Sequence, residues 1–191
     1  MIYKPVLWDI YMPRADSANT NIELELVPKG NLLFSNLYLT HYPGSRGIIG
    51  RQFNYIIHYK EGIAGIIGAN SPPLNYKKIS EFFPPQFDEH NWLNNNVFRL
   101  IYHDSNLGSR VLKLFRKRIK SDYEAKYQTL LIGLVTFVEL PLTGSVYKAD
   151  NWVFLGETQG KHCKRRGDHG KWINKEWSSD GKKKLIFARL L

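Results

Sequence analysis

The chain has 191 residues, of which 27 are Lys or Arg and 17 are Asp or Glu, so its formal net charge is +10 at pH 7. This length predicts a single domain over residues 1–191. The charge favours an anionic partner, with nucleic acid ahead of a membrane surface. The one cysteine excludes an internal disulfide framework and is typical of a protein of the reducing cytoplasm. No apolar stretch is long enough to cross a bilayer, so we expect no membrane partner.

In chain order, the hydrophobic pattern predicts an edge strand at Val6–Trp8, an alternating run at Ile22–Leu26 and a short apolar segment at Leu32–Leu39 that ends in a loop over 40–47. The later elements are a hairpin of Phe53–Tyr59 and Ile63–Ile67, a short helix at Tyr76–Phe83, irregular chain to Asn96, a strand at Val97–Tyr102, a helix at Leu107–Tyr123, a buried strand at Leu130–Val138, a short helix at Gly144–Trp152 and a strand at Leu185–Leu190. This order predicts an α/β (α+β) fold with a mixed central β-sheet flanked by helices.

The positive charge is concentrated in two segments. Residues 106–120 hold six basic residues and no acid, and residues 161–184 hold nine basic residues against three acids. A polyanion such as DNA is therefore the expected partner, although a solvated helix face is the ordinary alternative. The predicted DNA-binding residues are Arg110, Lys113, Lys117, Lys120, Lys161, Lys164, Arg165 and Arg166. We expect a basic C-terminal segment at about 161–184 as an appendage of the domain.

Familiar catalytic motifs are absent from the sequence. It has no Walker-type phosphate loop, no dinucleotide-binding glycine fingerprint, no Cys-x-x-Cys pair and no hydrolase nucleophile elbow. The cluster of His162, Cys163 and His169 is expected to be a solvated loop.

Polar residues instead collect where predicted strands end. His41 and Tyr42 precede a glycine-bearing turn, where they could serve as general base and general acid or simply cap and pack a loop. Glu139 ends the buried strand, at the edge where α/β sheets commonly place ligand groups. Tyr147 and Asp150 follow on the short helix, close enough to form a site with it.

The second such junction lies between Arg99 and the basic helix. Arg99 stands among apolar strand residues, where either a bound anion or a structural ion pair would satisfy it. The turn at Asp104–Arg110 leads into a helix N-terminus, which is a natural anion site, and Gly108 and Ser109 would let a phosphate approach. Ser105 or Asn106 could equally serve as the helix cap.

Taken together, these blocks resemble the Mom-type DNA modification proteins of phage Mu and related elements. The similar residues are His41-Tyr42, Arg99, Leu107-Gly108-Ser109-Arg110, Glu139 and Thr143–Trp152 with Leu155-Gly156, and the resemblance covers roughly residues 32–160. The block Thr143–Trp152, which is similar to the H/T-G-x-x-Y-x-A-x-N-W signature, is its most specific part. Related blocks also occur in a family associated with bacterial anti-phage defence.

The resemblance implies a GNAT-type N-acyltransferase fold and transfer of a carbamoylmethyl (acetamido) group to the exocyclic amine of adenine in DNA, which protects the DNA from restriction. Its matching positions give His41, Tyr42, Arg99, Glu139, Tyr147 and Asp150 as catalytic residues and Leu107, Gly108, Ser109 and Arg110 as the cofactor-binding turn. The turn lacks the first basic residue of the usual phosphate loop, which puts ordinary coenzyme A binding in doubt. An acetyl-CoA-like molecule or an aminoacyl carrier could supply the group. The participation of a metal ion, held by His41 and a carboxylate, remains an open alternative.

The same resemblance implies a division of chemical labour. Glu139 or Asp150 would orient the amine and accept its proton, and Tyr147 or Tyr42 would protonate the leaving group. Arg99 and the turn would hold a phosphate or carbonyl oxygen. The target adenine would be flipped out and stacked on an aromatic ring, with Trp152, Tyr55 and Phe53 as candidates that core packing could equally explain. The alternatives are a DNA-binding protein of a phage-defence system without catalysis and a GNAT-like acyltransferase with another substrate; each would act in the cytoplasm.

Overall fold

The structure is a computed structural model that describes residues 13, 18, 20–41, 48, 50–73, 77–84, 87–88, 90–160, 162–166, 173–178 and 181–191, with the backbone alone at 41, 162–166 and 173–178. Its helices are α1 (Leu32–His41), α2 (Lys77–Phe82), α3 (Leu107–Tyr127) and α4 (Ser145–Ala149). Its strands are β1 (Ile22–Val27), β2 (Gln52–Tyr59), β3 (Gly62–Asn70), β4 (Trp92–Leu100), β5 (Gly133–Glu139), β6 (Val153–Glu157), β7 (His162–Arg166), β8 (Ile173–Ser178) and β9 (Lys184–Leu190). The predicted strand at Val6–Trp8 and most of the predicted 40–47 loop lie outside the described residues.

Seven of the strands form one mixed sheet. Their order is β1-β2-β3-β4-β5-β9-β6, and β7 pairs with β8 in a separate two-stranded sheet. Strands β4 and β5 run parallel, whereas the other neighbouring strands of the large sheet are antiparallel. The predicted α/β class with a mixed central sheet is confirmed.

The helices cover both faces of this sheet. The largest buried cluster lies between α3 and one face, where Val111, Phe115 and Ile119 meet the strands. Two smaller clusters cover the other face, one under α1 around Leu37 and one under α2 around Ile79. Apolar side chains on both faces explain why β5 has a nearly continuous apolar sequence.

Two predicted elements form for the reasons that the sequence indicates. The β2–β3 hairpin turns at Lys60 and Glu61, both with positive φ (49° and 62°), as a type I′ turn requires. Helix α3 buries the apolar stripe that its spacing predicts, and it extends one turn beyond Tyr123 to end at Gln128 in the left-handed conformation.

Several elements differ from the prediction. Strand β4 begins at Trp92 rather than Val97, because Trp92 and Leu93 are fully buried and bring the following asparagines into the sheet. Strand β6 was not predicted, since it is short and mostly exposed and contains Gly156. The segment at Leu32–Leu39 is helix α1. In the described part of the chain, no helix combines the length and apolar character needed to cross a membrane.

Candidate active site

A cleft opens in the sheet where β4 and β5 separate. The two strands pair only from Trp92–Gly133 to Asn94–Val135, and beyond this point they diverge towards their carboxyl ends. The cleft has a volume of about 1390 Å³. Ligands of open α/β sheets bind outside the carboxyl ends of strands, so its position is that of a binding site.

The walls of the cleft come from both faces of the sheet. They are formed by Asn94–Asn96 and Phe98 of β4, by Thr136–Glu139 of β5, and by the 140–144 loop and the start of α4. Val138 belongs to the cluster under α3, whereas Phe137 packs with the cluster under α2. Because side chains alternate along β5, Thr136 shares the face of Val138, and Glu139 lies on the face of Phe137.

A β-bulge at Asn96 shapes one wall. Asn95 pairs with Ala69 and Val97 pairs with Gly68, so Asn96 has no partner in β3. A bulge of this kind bends the strand and re-aims the side chains that follow. It therefore contributes to the separation of β4 from β5.

The predicted Tyr147 lies in this cleft, within a buried polar network. Its phenol donates to Asn95 Oδ1 at 2.8 Å. Thr136 Oγ1 donates to the backbone oxygen of Asn95 at 2.9 Å and lies 3.4 Å from the phenol oxygen. The Tyr147 ring stacks on Phe187 and contacts Trp152 edge-on, which fixes its orientation. The network thus holds one phenolic proton at a defined place in the cleft.

Glu139 lies at the mouth of the cleft between two lysines. Lys182 Nζ is 2.6 Å from Glu139 Oε1, and Lys184 Nζ is 3.6 Å from Oε2. The hydrogen bond from Lys182 lowers the pKa of Glu139 below its ordinary value. A carboxylate held in its charged form is a weak proton acceptor, so this geometry favours orientation of a ligand over the predicted role as base.

Asp150 does not line the cleft. Both of its carboxylate oxygens accept from Arg116, at 2.7 and 2.9 Å, and Trp152 Nε1 donates to Oδ2 at 2.9 Å. Its backbone oxygen accepts from Arg189. This bidentate pair ties α4 to α3, so the geometry favours a structural role over the predicted catalytic one.

Arg99 is also bound elsewhere. Its Nη1 donates to Leu37 O at 2.7 Å and to the Thr40 hydroxyl, so it anchors the last turn of α1 to β4. The geometry therefore favours a structural role for Arg99 over the binding of an anion. His41 ends α1 with only its backbone described, and Tyr42 lies outside the described residues.

The predicted cofactor-binding turn is used mostly for packing. Leu107 is fully buried, and a Cβ on Gly108 would come within 2.8 Å of Val146. Ser109 Oγ donates to Asn106 O, and Arg110 donates to Thr20 O at 2.7 Å. Asn106 begins α3 without a side-chain cap, so its side chain does not compete for the first-turn N–H groups that an anion would use.

Asp104 adds a negative charge beside this turn. A hydrogen bond from Lys60 and one from Tyr59 lower the pKa of Asp104 to about 2. The Lys60 Nζ atom lies 3.0 Å from Asp104 Oδ2, so much of this charge is neutralised.

Of the basic residues predicted on α3, Lys113 and Lys117 are exposed, whereas Lys120 donates to Leu191 O at 3.2 Å. Lys164, Arg165 and Arg166 lie in β7, where only the backbone is described, and Lys161 lies outside the described residues. The aromatic candidates for base stacking, Trp152, Tyr55 and Phe53, are all buried in the main cluster, so core packing accounts for them.

Sequence reasoning missed Asn95, Asn96, Thr136 and Lys182, which line the cleft. Three consecutive asparagines directly after an apolar pair were the available signal, because asparagine is unusual within a strand. Among the described residues, no group of three or more His, Cys, Asp and Glu is placed to hold a metal ion.

Solved structures with the same architecture are acetyltransferases. An acetyltransferase from Bacillus subtilis in complex with CoA has a TM-score of 0.53 at 8% identity, over 90% of this chain and 99% of that one. A GNAT family acetyltransferase from Elizabethkingia anophelis with acetyl-CoA bound has a TM-score of 0.51 at 12% identity, over 90% and 99%. An IAA acetyltransferase from Bacillus cereus has a TM-score of 0.52 at 10% identity, over 90% and 100%. The GNAT-like fold that the Mom-type resemblance implies is thereby confirmed.

No curated protein matches the chain in sequence. A family model described as Druantia protein DruA matches residues 9–164, most of the chain. The comparisons do not confirm the Mom-type resemblance, which stays a prediction. Because the DruA model matches well over half of its length, the chain belongs to the DruA family.

Proposed function

We propose that the protein is an acyltransferase-like enzyme that takes a group from an acyl carrier in the cleft between β4 and β5 and transfers it to an amine. The observation that carries this proposal is the phenol of Tyr147, held in the cleft by Asn95 at 2.8 Å. GNAT neighbours of the same fold have acetyl-CoA or CoA bound, which supports an acyl-CoA-type donor.

The residues present suit such a donor. The cleft accommodates an extended arm, and the first turn of α3 presents backbone N–H groups to a phosphate. In the transfer, the amine nitrogen bonds to the carbon of the transferred group and the bond from that carbon to the carrier sulfur breaks. Tyr147 donates its proton to the sulfur and then takes the proton that the amine loses, so the phenol is restored and the carrier leaves as a thiol. Glu139, fixed by Lys182, orients the amine from the opposite face of the sheet.

We further propose that the amine belongs to DNA, and specifically to adenine, with a carbamoylmethyl group as the group transferred. The carrier then holds this group as a thioether, and its CH2 carbon bonds to the adenine nitrogen as the bond from that carbon to sulfur breaks. The Mom-type resemblance is the source of this assignment. The net charge of +10, the exposed Lys113 and Lys117 on α3 and the two lysines at the mouth of the cleft support a polyanionic substrate. A flipped adenine would reach the cleft from its Glu139 side.

Mass spectrometry of nucleosides from the DNA of expressing cells tests the enzymatic proposal. We expect a mass-shifted deoxyadenosine with the natural chain and at least a tenfold smaller amount with Tyr147→Phe, because the variant lacks the phenolic proton. Tyr127→Phe, a change on α3 outside the cleft, is the matched control and is expected to leave the amount unchanged. An unaltered yield with Tyr147→Phe would remove this residue from the mechanism.

The second candidate is a DNA-binding protein of a defence system without catalysis. Membership of the DruA family supports the defence setting, and the positive charge supports the DNA partner. Both candidates predict salt-dependent DNA binding, and each of Lys113→Ala and Lys117→Ala is expected to lower the slope of log K against log salt by about 1. Lys77→Ala, an exposed lysine of α2 paired with Glu81, is the control. DNA binding without a new nucleoside would favour this candidate, and tight acetyl-CoA binding without DNA binding would favour an acyltransferase with another substrate.

A further inference from the structure

Three consecutive asparagines, Asn94–Asn96, lie where the cleft begins. The pairing of β4 with β5 ends at Asn94, so these residues stand at the point where the strands start to separate. All three line the cleft. The part of a ligand that reaches deepest between the strands therefore lies beside these residues.

The side-chain amide of Asn95 makes its hydrogen bonds within the protein. Its Nδ2 donates to Gly68 O at 2.7 Å and to Val97 O at 3.0 Å, and its Oδ1 accepts from Tyr147. With these three hydrogen bonds made, Asn95 positions the phenol and keeps little capacity for a ligand. It also identifies this part of the cleft as the reacting end, because the proton of Tyr147 lies here.

Asn94 and Asn96, unlike Asn95, each have a side-chain oxygen without a hydrogen-bond partner among the described residues. Asn94 Nδ2 donates to Asn70 Oδ1 at 3.1 Å, which sets the orientation of that amide. Asn94 Oδ1 and Asn96 Oδ1 are buried, yet neither oxygen has a hydrogen-bond partner among the described residues. A buried acceptor without a partner is unfavourable, so such oxygens are expected to receive a hydrogen bond from a ligand.

We propose that Asn94 and Asn96 are specificity-determining residues that select a transferred group carrying an N–H or O–H donor against an unsubstituted acetyl group. This inference rests on the proposed acyltransferase function. A methyl group would leave both oxygens unpaired, and a site built to hydrogen-bond its ligand discriminates strongly against analogues that lack the donor. Asn94 lies on the face of the sheet opposite Asn95 and Tyr147, which is also the face of Glu139. Asn94 and Asn96 stand at the closed end of the cleft, where the two strands start to separate, so we assign them to the transferred group rather than to the distant parts of its carrier.

The acceptor amine is the other source of an N–H in this cleft, so the test uses the donor alone. S-carbamoylmethyl-CoA and S-acetonyl-CoA are stable thioethers of nearly the same shape that differ by an amide NH2 against a methyl group. Titration calorimetry on the full chain measures the affinity of each. We expect the carbamoylmethyl compound to bind about tenfold more tightly, as one or two additional hydrogen bonds imply.

The variants Asn94→Leu and Asn96→Leu are each expected to reduce this ratio to about threefold, and the double variant to about one. Asn36→Leu, on the exposed side of α1, is the control and is expected to keep the natural ratio. Thermal melting reports whether each variant folds, and alanine replaces leucine in any that does not. Equal affinity of the natural chain for the two compounds, or a ratio unchanged in the double variant, would overturn the inference and leave the proposed function intact. Binding of neither compound would overturn the proposed donor and the inference with it.

Discussion

The buried pair of Arg116 and Asp150 makes a quantitative prediction. Asp150 is 7% exposed and the Arg116 side chain 16% exposed, and their two hydrogen bonds measure 2.7 and 2.9 Å. Breaking a buried pair by removing one partner costs about 3–5 kcal/mol, because the other charge stays buried alone. Arg116 keeps some contact with water, so the lower part of this range applies, and we expect Asp150→Ala to lower the free energy of unfolding by about 3 kcal/mol.

Urea unfolding followed by circular dichroism gives this free energy directly. The variants Asp150→Ala and Arg116→Ala and their combination form a double-mutant cycle, and we expect a coupling energy of about 2 kcal/mol or more. Glu81→Ala, which breaks the exposed pair with Lys77, is the control and is expected to change the free energy by less than about 0.5 kcal/mol. If Asp150→Ala abolishes activity while its unfolding free energy stays within about 0.5 kcal/mol of the natural value, the carboxylate acts in the chemistry and the structural interpretation is refuted.

Three further changes test other parts of the structure. Gly144→Ala places a Cβ against the ring of Phe187, at a residue whose φ is 67°. The variant is therefore expected to lower the free energy of unfolding in urea by about 1–3 kcal/mol and to reduce activity by displacing α4. A natural free energy of unfolding together with natural activity would contradict this prediction. The hydrogen bond from Lys60 lowers the pKa of Asp104 to about 2, so the charged Asp104 stabilises the fold at a pH above about 4, and this stabilisation is lost as the pH falls from about 4 to 2. The variant Asp104→Asn is therefore expected to lose less unfolding free energy than the natural chain over that pH range. An unchanged dependence of stability on pH would argue against the Lys60–Asp104 pair. Arg99→Met removes the hydrogen bonds to the last turn of α1 and is expected to make α1 more susceptible to proteolysis. Loss of activity without increased proteolysis of α1 would instead support a role of Arg99 in binding an anion.

The parts of the fold that the sequence predicts are those set by local pattern. The turn residues of the β2–β3 hairpin and the apolar stripe of α3 each determine their own element, so both are confirmed. The start of β4 depends instead on burial of Trp92 against residues distant in the chain, among them Val135 and Ile186. Tertiary burial of this kind overrides the low strand propensity of the asparagines that follow.

The candidate site shows the same division. The spacing of polar residues around the short helix marks Tyr147 as a candidate, and the structure places it in the cleft, while its catalytic role stays a prediction. Asp150 has the residue type and position of a catalytic carboxylate, but its partner Arg116 is remote in sequence and belongs to a helix face predicted to bind DNA. A sequence gives the chemistry of a side chain, whereas its partner depends on the packing of helices, so the two roles can be told apart only in three dimensions.

The position of β9 has a consequence for how the sheet is assembled. β9 lies between β5 and β6, although both precede it in the chain, and Glu139 of β5 is directly opposite Lys184 of β9. During synthesis, β5 therefore presents an open edge until Lys184–Leu190 has left the ribosome, and β6 has no neighbour in the large sheet until then. Strand β9 completes the mouth of the cleft, so a nascent chain that lacks it has neither a continuous sheet from β5 to β6 nor the lysine that faces Glu139. We therefore expect activity to appear only once β9 has paired with β5 and β6, in the same step that completes folding of the large sheet.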